Sequence, residues 1–102
     1  DLGIVPSAPV QRAVYRTVQE GLTNIAKHAP GASATLSLRI DRSEVSLSLV
    51  NTKPTRAPEQ LPSSQHGLLG LRERAELLGG KLSAGRRSDG GYCLSLTLPI
   101  HT

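Results

Sequence analysis

The sequence contains no Phe, Trp or Met, and its only aromatic residues are Tyr15 and Tyr92. A core without large aromatic side chains must be assembled from Leu, Val, Ile and Ala, which suits helices packed on a sheet. The scarcity of aromatic residues also excludes an aromatic platform that stacks single-stranded bases. We therefore expect no nucleic-acid partner.

Cysteine and long apolar runs are also scarce. Cys93 is the only cysteine, so an intrachain disulfide or a cysteine zinc cluster is excluded. It lies in an alternating apolar run and is predicted to be a buried strand residue. No secretory signal pattern and no membrane-length apolar run is present, so we expect no direct membrane contact. The 102 residues begin at Asp1 without a Met, so we expect 1–102 to be one domain of a larger protein.

Positive charge, in contrast, is in excess. Twelve Lys and Arg residues against eight Asp and Glu residues give a formal charge of +4. A balance of this size fits an anionic ligand or partner, although most such charges simply lie on solvated surface.

A long helix is predicted from Val10 to Ala29. Its apolar residues recur at three- and four-residue steps, which places them on one face. These residues are Val10, Val14, Val18, Leu22 and Ile25. Pro30 and Gly31 end the helix.

Alternation and turn residues predict the remaining elements. We predict strands over 34–40 and 45–49, a helix over 67–78, and strands over 82–86 and 92–100. The segment 52–65 contains three prolines and is predicted to be a long loop, either a functional lid or disordered. Short turns between consecutive strands imply antiparallel pairing. The predicted fold is α+β, a two-layer sandwich with both helices on one face of a mixed, mostly antiparallel sheet.

Four polar residues share one side of the first helix, since Glu20, Asn24, Lys27 and His28 are spaced at i, i+4, i+7 and i+8. Such a row suits a metal-bound polyphosphate. The Asn oxygen can ligate Mg²⁺, the Lys can neutralise phosphate charge, and the Glu can orient or deprotonate a hydroxyl or water. On spacing alone, an ordinary solvated helix face is the favoured interpretation.

A second pattern lies where the long loop meets the second helix, in the run Gln-His-Gly-Leu-Leu-Gly over 65–70. Glycines at a helix start let the backbone approach a ligand, and the exposed amides attract phosphate. Alone, such a glycine is a common helix-capping feature. After a lid-like loop, the run is interpreted as a phosphate clamp.

The order of these two motifs resembles that of a known family. Residues 15–29 resemble the N box of histidine-kinase ATPase domains, especially in the subfamily of nitrate and desaturase-pathway sensors. Residues 67–80 resemble that subfamily's second glycine box with the following helix, and residues 90–99 resemble its final strand. The resemblance covers 10–100, and two separated motifs in the right order are more specific than either motif.

This resemblance implies the Bergerat ATP-binding fold, with ATP and Mg²⁺ as the bound groups. In the family the N-box Glu, here Glu20, is catalytic, the Asn, here Asn24, ligates Mg²⁺, and the Lys, here Lys27, approaches the phosphates. The nucleotide-binding residues implied in the second box are His66, Gly67, Leu68 and Gly70. His28 matches a common subfamily position whose role we leave open between packing and chemistry.

The same resemblance implies an activity, partners and a location. The implied activity is transfer of the ATP γ-phosphoryl group to a histidine on a separate dimerisation domain of the same kinase. That histidine then serves a response regulator in two-component signalling. The chain holds no helical acceptor histidine of its own, so we expect nucleotide binding with little or no self-phosphorylation. We expect a cytoplasmic location, as part of a membrane-anchored sensor.

Departures from the family pattern concentrate where the base would bind. The family's first glycine box reads Asp-x-Gly-x-Gly, whereas residues 51–55 read Asn-Thr-Lys-Pro-Thr. Asn51 keeps an acceptor oxygen for the adenine amino group but lacks the charge of an Asp. Gln65 replaces a glycine of the second box, and Tyr92 replaces a small hydroxyl residue. Two alternatives therefore stay open: a degenerate docking module with weak or no ATP binding, and a serine kinase of the anti-sigma-factor type.

Overall fold

The protein is described by a computed structural model that covers residues 4–57 and 65–101, except the side chains of residues 65 and 66. The elements are α1 (Ala8–His28), β1 (Ala34–Ile40), β2 (Glu44–Asn51), α2 (Gln65–Leu77), β3 (Lys81–Arg86) and β4 (Tyr92–Pro99). Every predicted helix and strand is present, and each boundary lies within two residues of its predicted position.

The four strands form one sheet in the order β1-β2-β4-β3. β1 and β2 form one hairpin, β3 and β4 form the other, and β4 pairs with β2 in the middle of the sheet. All three pairings in the described part of the chain are antiparallel. The predicted mostly antiparallel sheet is thus confirmed, with no parallel pair among the described strands.

The core lies between the two helices and one face of the sheet. Residues alternate between buried and partly exposed along β2 and β4, so each strand contributes one apolar face to the core. The members of this core are Val10, Ala13, Val45, Leu47, Leu49, Ala75, Leu82, Leu94, Leu96, Leu98 and Ile100. Both helices pack on this face, which confirms the predicted two-layer α+β sandwich.

The predicted apolar stripe of α1 is confirmed except at Leu22. Val10 is fully buried, and Val14, Val18 and Ile25 are partly buried against the core. Leu22, which was predicted to face the core, is 48% exposed. Three further residues of α1, Ala13, Thr17 and Gly21, are buried beside the stripe. These are mostly small residues, and they let the helix axis come close to the sheet. A Cβ atom on Gly21 would lie only 2.6 Å from Leu49 Cδ2, so the glycine sets the helix-to-sheet distance.

Neither helix covers β1, although its apolar and polar residues alternate as they do in a strand with one buried face. All seven of its residues are exposed. Leu36, Leu38 and Ile40 pair in register with buried residues of β2, so their side chains lie on the helix-covered face. They remain 40–50% exposed.

Neither described helix is long and apolar enough to cross a membrane.

The opposite face of the sheet is more polar. Cys93 lies on this face and is only partly buried, so the prediction of a buried cysteine is wrong. Its Sγ lies 3.6 Å from Ser95 Oγ. The physical reason is the strand alternation, since Leu94 and Leu96 take the core-facing positions.

The segment that follows β2 begins in a fixed position. The Thr52 N–H donates to the Ser33 carbonyl (2.9 Å) and the Ser33 N–H donates to Thr52 Oγ1 (2.9 Å). The Thr55 N–H donates to the Pro30 carbonyl (3.0 Å). Half of the predicted lid, residues 58–64, lies outside the described residues.

Candidate nucleotide and acceptor site

A cavity of about 800 Å³ opens where the C-terminal half of α1 meets one end of the sheet; we call it the sheet-end cavity. Asn24, Ile25 and His28 of α1 form one wall, and Leu49 and Leu94 form part of the floor. An apolar base with a few polar groups at its rim is the usual composition of a small-molecule site. The cavity is large enough for a nucleotide.

Asn51 is the buried polar residue of this cavity. It is 5% exposed, and its Nδ2 donates to the Thr52 carbonyl at 2.8 Å. That bond uses one Nδ2 hydrogen, and the carboxamide keeps Oδ1 as its acceptor. Asn51 stands opposite Tyr92 in β4, and Tyr92 stands opposite Arg86 in β3. A row of Asn, Tyr and Arg therefore crosses the end of the sheet on its helix-covered face.

The turn between β3 and β4 forms the outer rim of the sheet-end cavity. Its Asp89 carboxylate accepts a hydrogen bond from the Gly91 N–H (2.9 Å) and lies 3.2 Å from Arg87 Nε. The Gly91 N–H, with the nearby Arg87 guanidinium, holds the pKa of Asp89 below the usual aspartate value. A Cβ atom on Gly91 would overlap the Asn51 carbonyl oxygen, so this glycine lets the turn close against the cavity floor.

A second cavity of about 670 Å³ lies between α1 and α2; we call it the interhelical groove. It contains Glu20 of α1 together with Gly67 and Gly70 of α2. A Cβ atom on Gly67 would lie 2.6 Å from Glu20 Cδ. The Glu20 carboxyl group thus rests on the first turn of α2, where helix amides favour a negative charge.

The predicted site residues are distributed over both cavities. Asn24, Asn51 and Leu68 line the sheet-end cavity, whereas Glu20, Gly67 and Gly70 line the interhelical groove. Lys27 is partly buried and belongs to neither lining. The His66 side chain lies outside the described residues. The predicted site residues therefore do not form one cluster. Glu20 lies in the interhelical groove, whereas Asn51 lies in the sheet-end cavity.

Sequence reasoning did not assign Arg86, Arg87 and the ring of Tyr92 to the cavity, although all three line it. They come from the β3–β4 hairpin, more than 60 residues after α1 begins. Strand register could have identified these residues, because the first residue of β4 pairs with the last residue of β2 and with the last residue of β3. This inference requires the strand order, in which β4 lies between β2 and β3. Local sequence patterns do not give that order.

The donor chemistry around Asn24 fits Mg²⁺ that arrives with a nucleotide. No group of three or more His, Cys, Asp or Glu side chains within the described residues is placed to hold a metal ion. Magnesium bound through phosphates needs only one or two protein oxygens and keeps several waters. Asn24 carries such a carboxamide oxygen, and it is partly buried in the wall of the sheet-end cavity.

Two bacterial sensor kinases are similar to this chain over most of its length. The sensor histidine kinase YxjM of Bacillus subtilis (strain 168) is 33% identical over 93 residues, which cover 91% of this chain and 22% of YxjM. The oxygen sensor histidine kinase NreB of Staphylococcus carnosus (strain TM300) is 33% identical over 95 residues, covering 89% of this chain and 26% of NreB. The chain therefore spans about a quarter of the length of these relatives.

Solved structures share the fold at lower identity. The catalytic domain of histidine kinase ThkA superposes with a TM-score of 0.61 at 16% identity, covering 91% of this chain and 67% of that one. Acinetobacter baumannii histidine kinase AdeS superposes with a TM-score of 0.66 at 13% identity, covering 87% and 46%. Residues 10–102 match the family described as "Histidine kinase-, DNA gyrase B-, and HSP90-like ATPase". Because that match takes in nearly the whole sequence, the chain belongs to this family of ATPases.

Proposed function

We propose that this chain is the ATP-binding catalytic domain of a sensor histidine kinase, and that it passes the γ-phosphoryl group of ATP to a histidine on a separate dimerisation domain. The names of the relatives YxjM and NreB, both of which include sensor histidine kinase, support this assignment. The proposal includes a cytoplasmic location, and a response regulator as the later recipient of the phosphoryl group.

The arrangement of Asn24 and Glu20 on α1 carries the proposal. Asn24 faces the sheet-end cavity and Glu20 faces the interhelical groove. The two residues are one helical turn apart, about 6 Å along the axis. A nucleotide held in the cavity would therefore have its phosphate end beside the groove, where an acceptor side chain can approach Glu20.

The base end of the nucleotide would be held by the apolar floor and by Asn51. Oδ1 of Asn51 would accept a hydrogen bond from an adenine amino group, which is a donor. Guanine presents a carbonyl at that position and would face Oδ1 unfavourably. The neutral carboxamide thus retains selectivity for adenine, with a weaker hydrogen bond than a carboxylate would make.

In the transfer step, an acceptor imidazole nitrogen attacks the γ-phosphorus and the bond to the β,γ-bridging oxygen breaks, leaving ADP. Catalysis of this reaction is mostly positioning and charge neutralisation. Asn24 would hold Mg²⁺ through its carboxamide oxygen, and the ion would offset the charge of the phosphates. Glu20 would orient the imidazole and accept its N–H proton, and Lys27 would approach the phosphates from the next turn of α1.

Calorimetric titration with a non-hydrolysable ATP analogue, with and without Mg²⁺, tests the proposal. We expect saturable binding that strengthens with Mg²⁺ and that the matching GTP analogue does not reproduce. Absence of Mg²⁺-dependent binding at millimolar nucleotide would overturn the kinase assignment. That outcome would favour the alternative hypothesis, in which the chain is a degenerate docking module with weak or no ATP binding.

Replacement of Asn24 separates metal binding from nucleotide binding. We predict that Asn24→Ala removes the gain in affinity produced by Mg²⁺, about tenfold or 1.4 kcal/mol, because it removes the protein oxygen donor. Binding measured without Mg²⁺ should change little. Gln11→Ala is the matched control, since it removes an exposed carboxamide from the same helix outside both cavities. An unchanged Mg²⁺ response in Asn24→Ala would show that the metal is held elsewhere.

A further inference from the structure

The interhelical groove carries an unbalanced positive charge. Arg12 and Arg16 of α1 line one wall and Arg74 of α2 lines the other, and Glu20 is the one carboxylate among the described residues of the lining. All three arginines are exposed. The ion pair found within residues 4–57 and 65–101 joins Arg87 and Asp89, so none of the three is paired with a described carboxylate. A partner that offers carboxylates would neutralise this charge.

The shape of the groove fits an elongated partner. Its lining runs along α1 from Pro9 to Thr23, about 21 Å at 1.5 Å per residue, which is the length of four helical turns. A single phosphate group or a free amino acid would occupy only a fraction of that length. A helix laid along α1 would contact both walls at once.

The arginines have a defined spacing from the residue that would meet the acceptor. Arg16 precedes Glu20 by four residues and Arg12 precedes it by eight. In an α-helix these steps are about 6 Å and 12 Å along one side. A partner helix aligned with α1 would place its own side chains at the same two steps.

We propose that the interhelical groove docks the helix bearing the acceptor histidine, and that acidic side chains one and two turns from that histidine pair with Arg16 and Arg12. The inference rests on the proposed function, because it takes Glu20 to be the residue that meets the imidazole. Arg74 closes over the partner from α2. Charge complementarity of this kind speeds association and fixes the register of the partner, so the arginines are positioning residues.

Two synthetic helical peptides of about 20 residues, or four to five turns, test the docking surface. The acidic peptide carries one central histidine with Glu four and eight residues away on both sides, and the neutral peptide carries Gln at those four positions. Titration into the isotopically labelled chain, followed by backbone amide NMR, detects even millimolar binding. We expect shifts at Arg12, Arg16, Gly67 and Gly70, binding at least about tenfold tighter for the acidic peptide, and loss of that preference in about 0.5 M salt.

Variants of the groove and of a remote surface complete the test. Arg12→Gln with Arg16→Gln should weaken the acidic peptide about tenfold, or 1.4 kcal/mol. Arg39→Gln with Arg42→Gln removes the same charge from exposed positions in and beside β1 and should leave binding unchanged. Arg12→Glu with Arg16→Glu should transfer the preference to a peptide with Lys in place of Glu. Equal binding of acidic and neutral peptides, or equal weakening by both double Gln variants, would overturn the docking surface.

Nucleotide binding in the same samples separates the two proposals. Arg12→Gln with Arg16→Gln should bind the Mg²⁺-loaded ATP analogue as the wild-type chain does, because neither arginine lines the sheet-end cavity. Intact nucleotide binding without a preference for the acidic peptide overturns the docking surface alone. Absence of nucleotide binding in the wild-type chain overturns the proposed function and the docking surface that depends on it.

Discussion

At the residue scale, the contact between Gly67 and Glu20 joins the two motifs that the sequence presents separately. The Glu20 carboxyl occupies the space that a side chain at position 67 would need. A Cβ atom at position 67 would displace this carboxyl group, which is a steric reason for glycine that does not depend on a bound ligand. The sequence predicted a phosphate clamp at this glycine, but only the packing of α2 on α1 explains why the carboxylate lies against it.

We predict that Gly67→Ala displaces the Glu20 side chain while the fold persists, because the obstructing atoms are the flexible end of Glu20. The ¹³C resonance of the Glu20 carboxyl group should move. Gly70→Ala is the matched control, since a Cβ atom there meets nothing within 4 Å. Gly70→Ala should raise the free energy of unfolding by about 0.5–1 kcal/mol through helix propensity, and Gly67→Ala by less. An unmoved Glu20 resonance in Gly67→Ala would show that the contact is not maintained in solution.

At the element scale, periodicity predicted where α1 begins and ends and most of its core-facing side, but not its most deeply buried residues. Val14 and Val18 are only partly buried, whereas Ala13, Thr17 and Gly21 are buried. Thr17 satisfies its buried hydroxyl by donating to the Ala13 carbonyl at 2.8 Å, so its polarity costs little. Residue size and the distance between helix and sheet determine which residues of α1 are most deeply buried. The spacing of apolar residues in the sequence gives neither quantity.

The β3–β4 turn should respond to acid through Asp89. Its folded pKa is lowered mainly by the Gly91 N–H, so the ionised form stabilises the folded state above the unfolded pKa, about 4. That stabilisation is lost as the pH falls through the lower folded pKa. Asp89→Asn should therefore lower the Tm at pH 7, and the difference from the wild-type Tm should shrink toward pH 2.

Asp41 provides a matched comparison for Asp89. The backbone N–H groups of Glu44 and Ser43 lower the pKa of Asp41 in the β1–β2 turn, away from the sheet-end cavity. Asp41→Asn should show the same acid-side behaviour of the Tm. Only Asp89→Asn should also weaken binding of the ATP analogue, because Arg87 and Gly91 line the cavity. Equal nucleotide affinity in both variants would mean that the β3–β4 turn does not shape the site.

At the scale of the whole molecule, local patterns predicted a two-layer sandwich, but they did not predict that the helices leave β1 uncovered. β1 lies at the edge of the sheet, and its alternation of Leu and polar residues is that of a strand with one buried face. The helices cover β2, β4 and β3 instead, since the small-residue face of α1 meets Leu49 and Leu94. Coverage depends on where each helix crosses the sheet, which is a property of the assembled layers rather than of any one segment.

The uncovered strand should make this chain self-associate. Leu36, Leu38 and Ile40 form an exposed apolar stripe on a strand whose outer edge lacks a described neighbour. Exposed apolar edge strands favour pairing between chains, and a Lys on such a strand opposes it. We predict concentration-dependent dimers in sedimentation velocity, and at least about tenfold weaker association, or 1.4 kcal/mol, in Leu38→Lys. Ser83→Lys adds the same charge to the other edge strand, β3, and should leave association unchanged. A wild-type chain that stays monomeric at millimolar concentration would show that the stripe is tolerated in water without a partner.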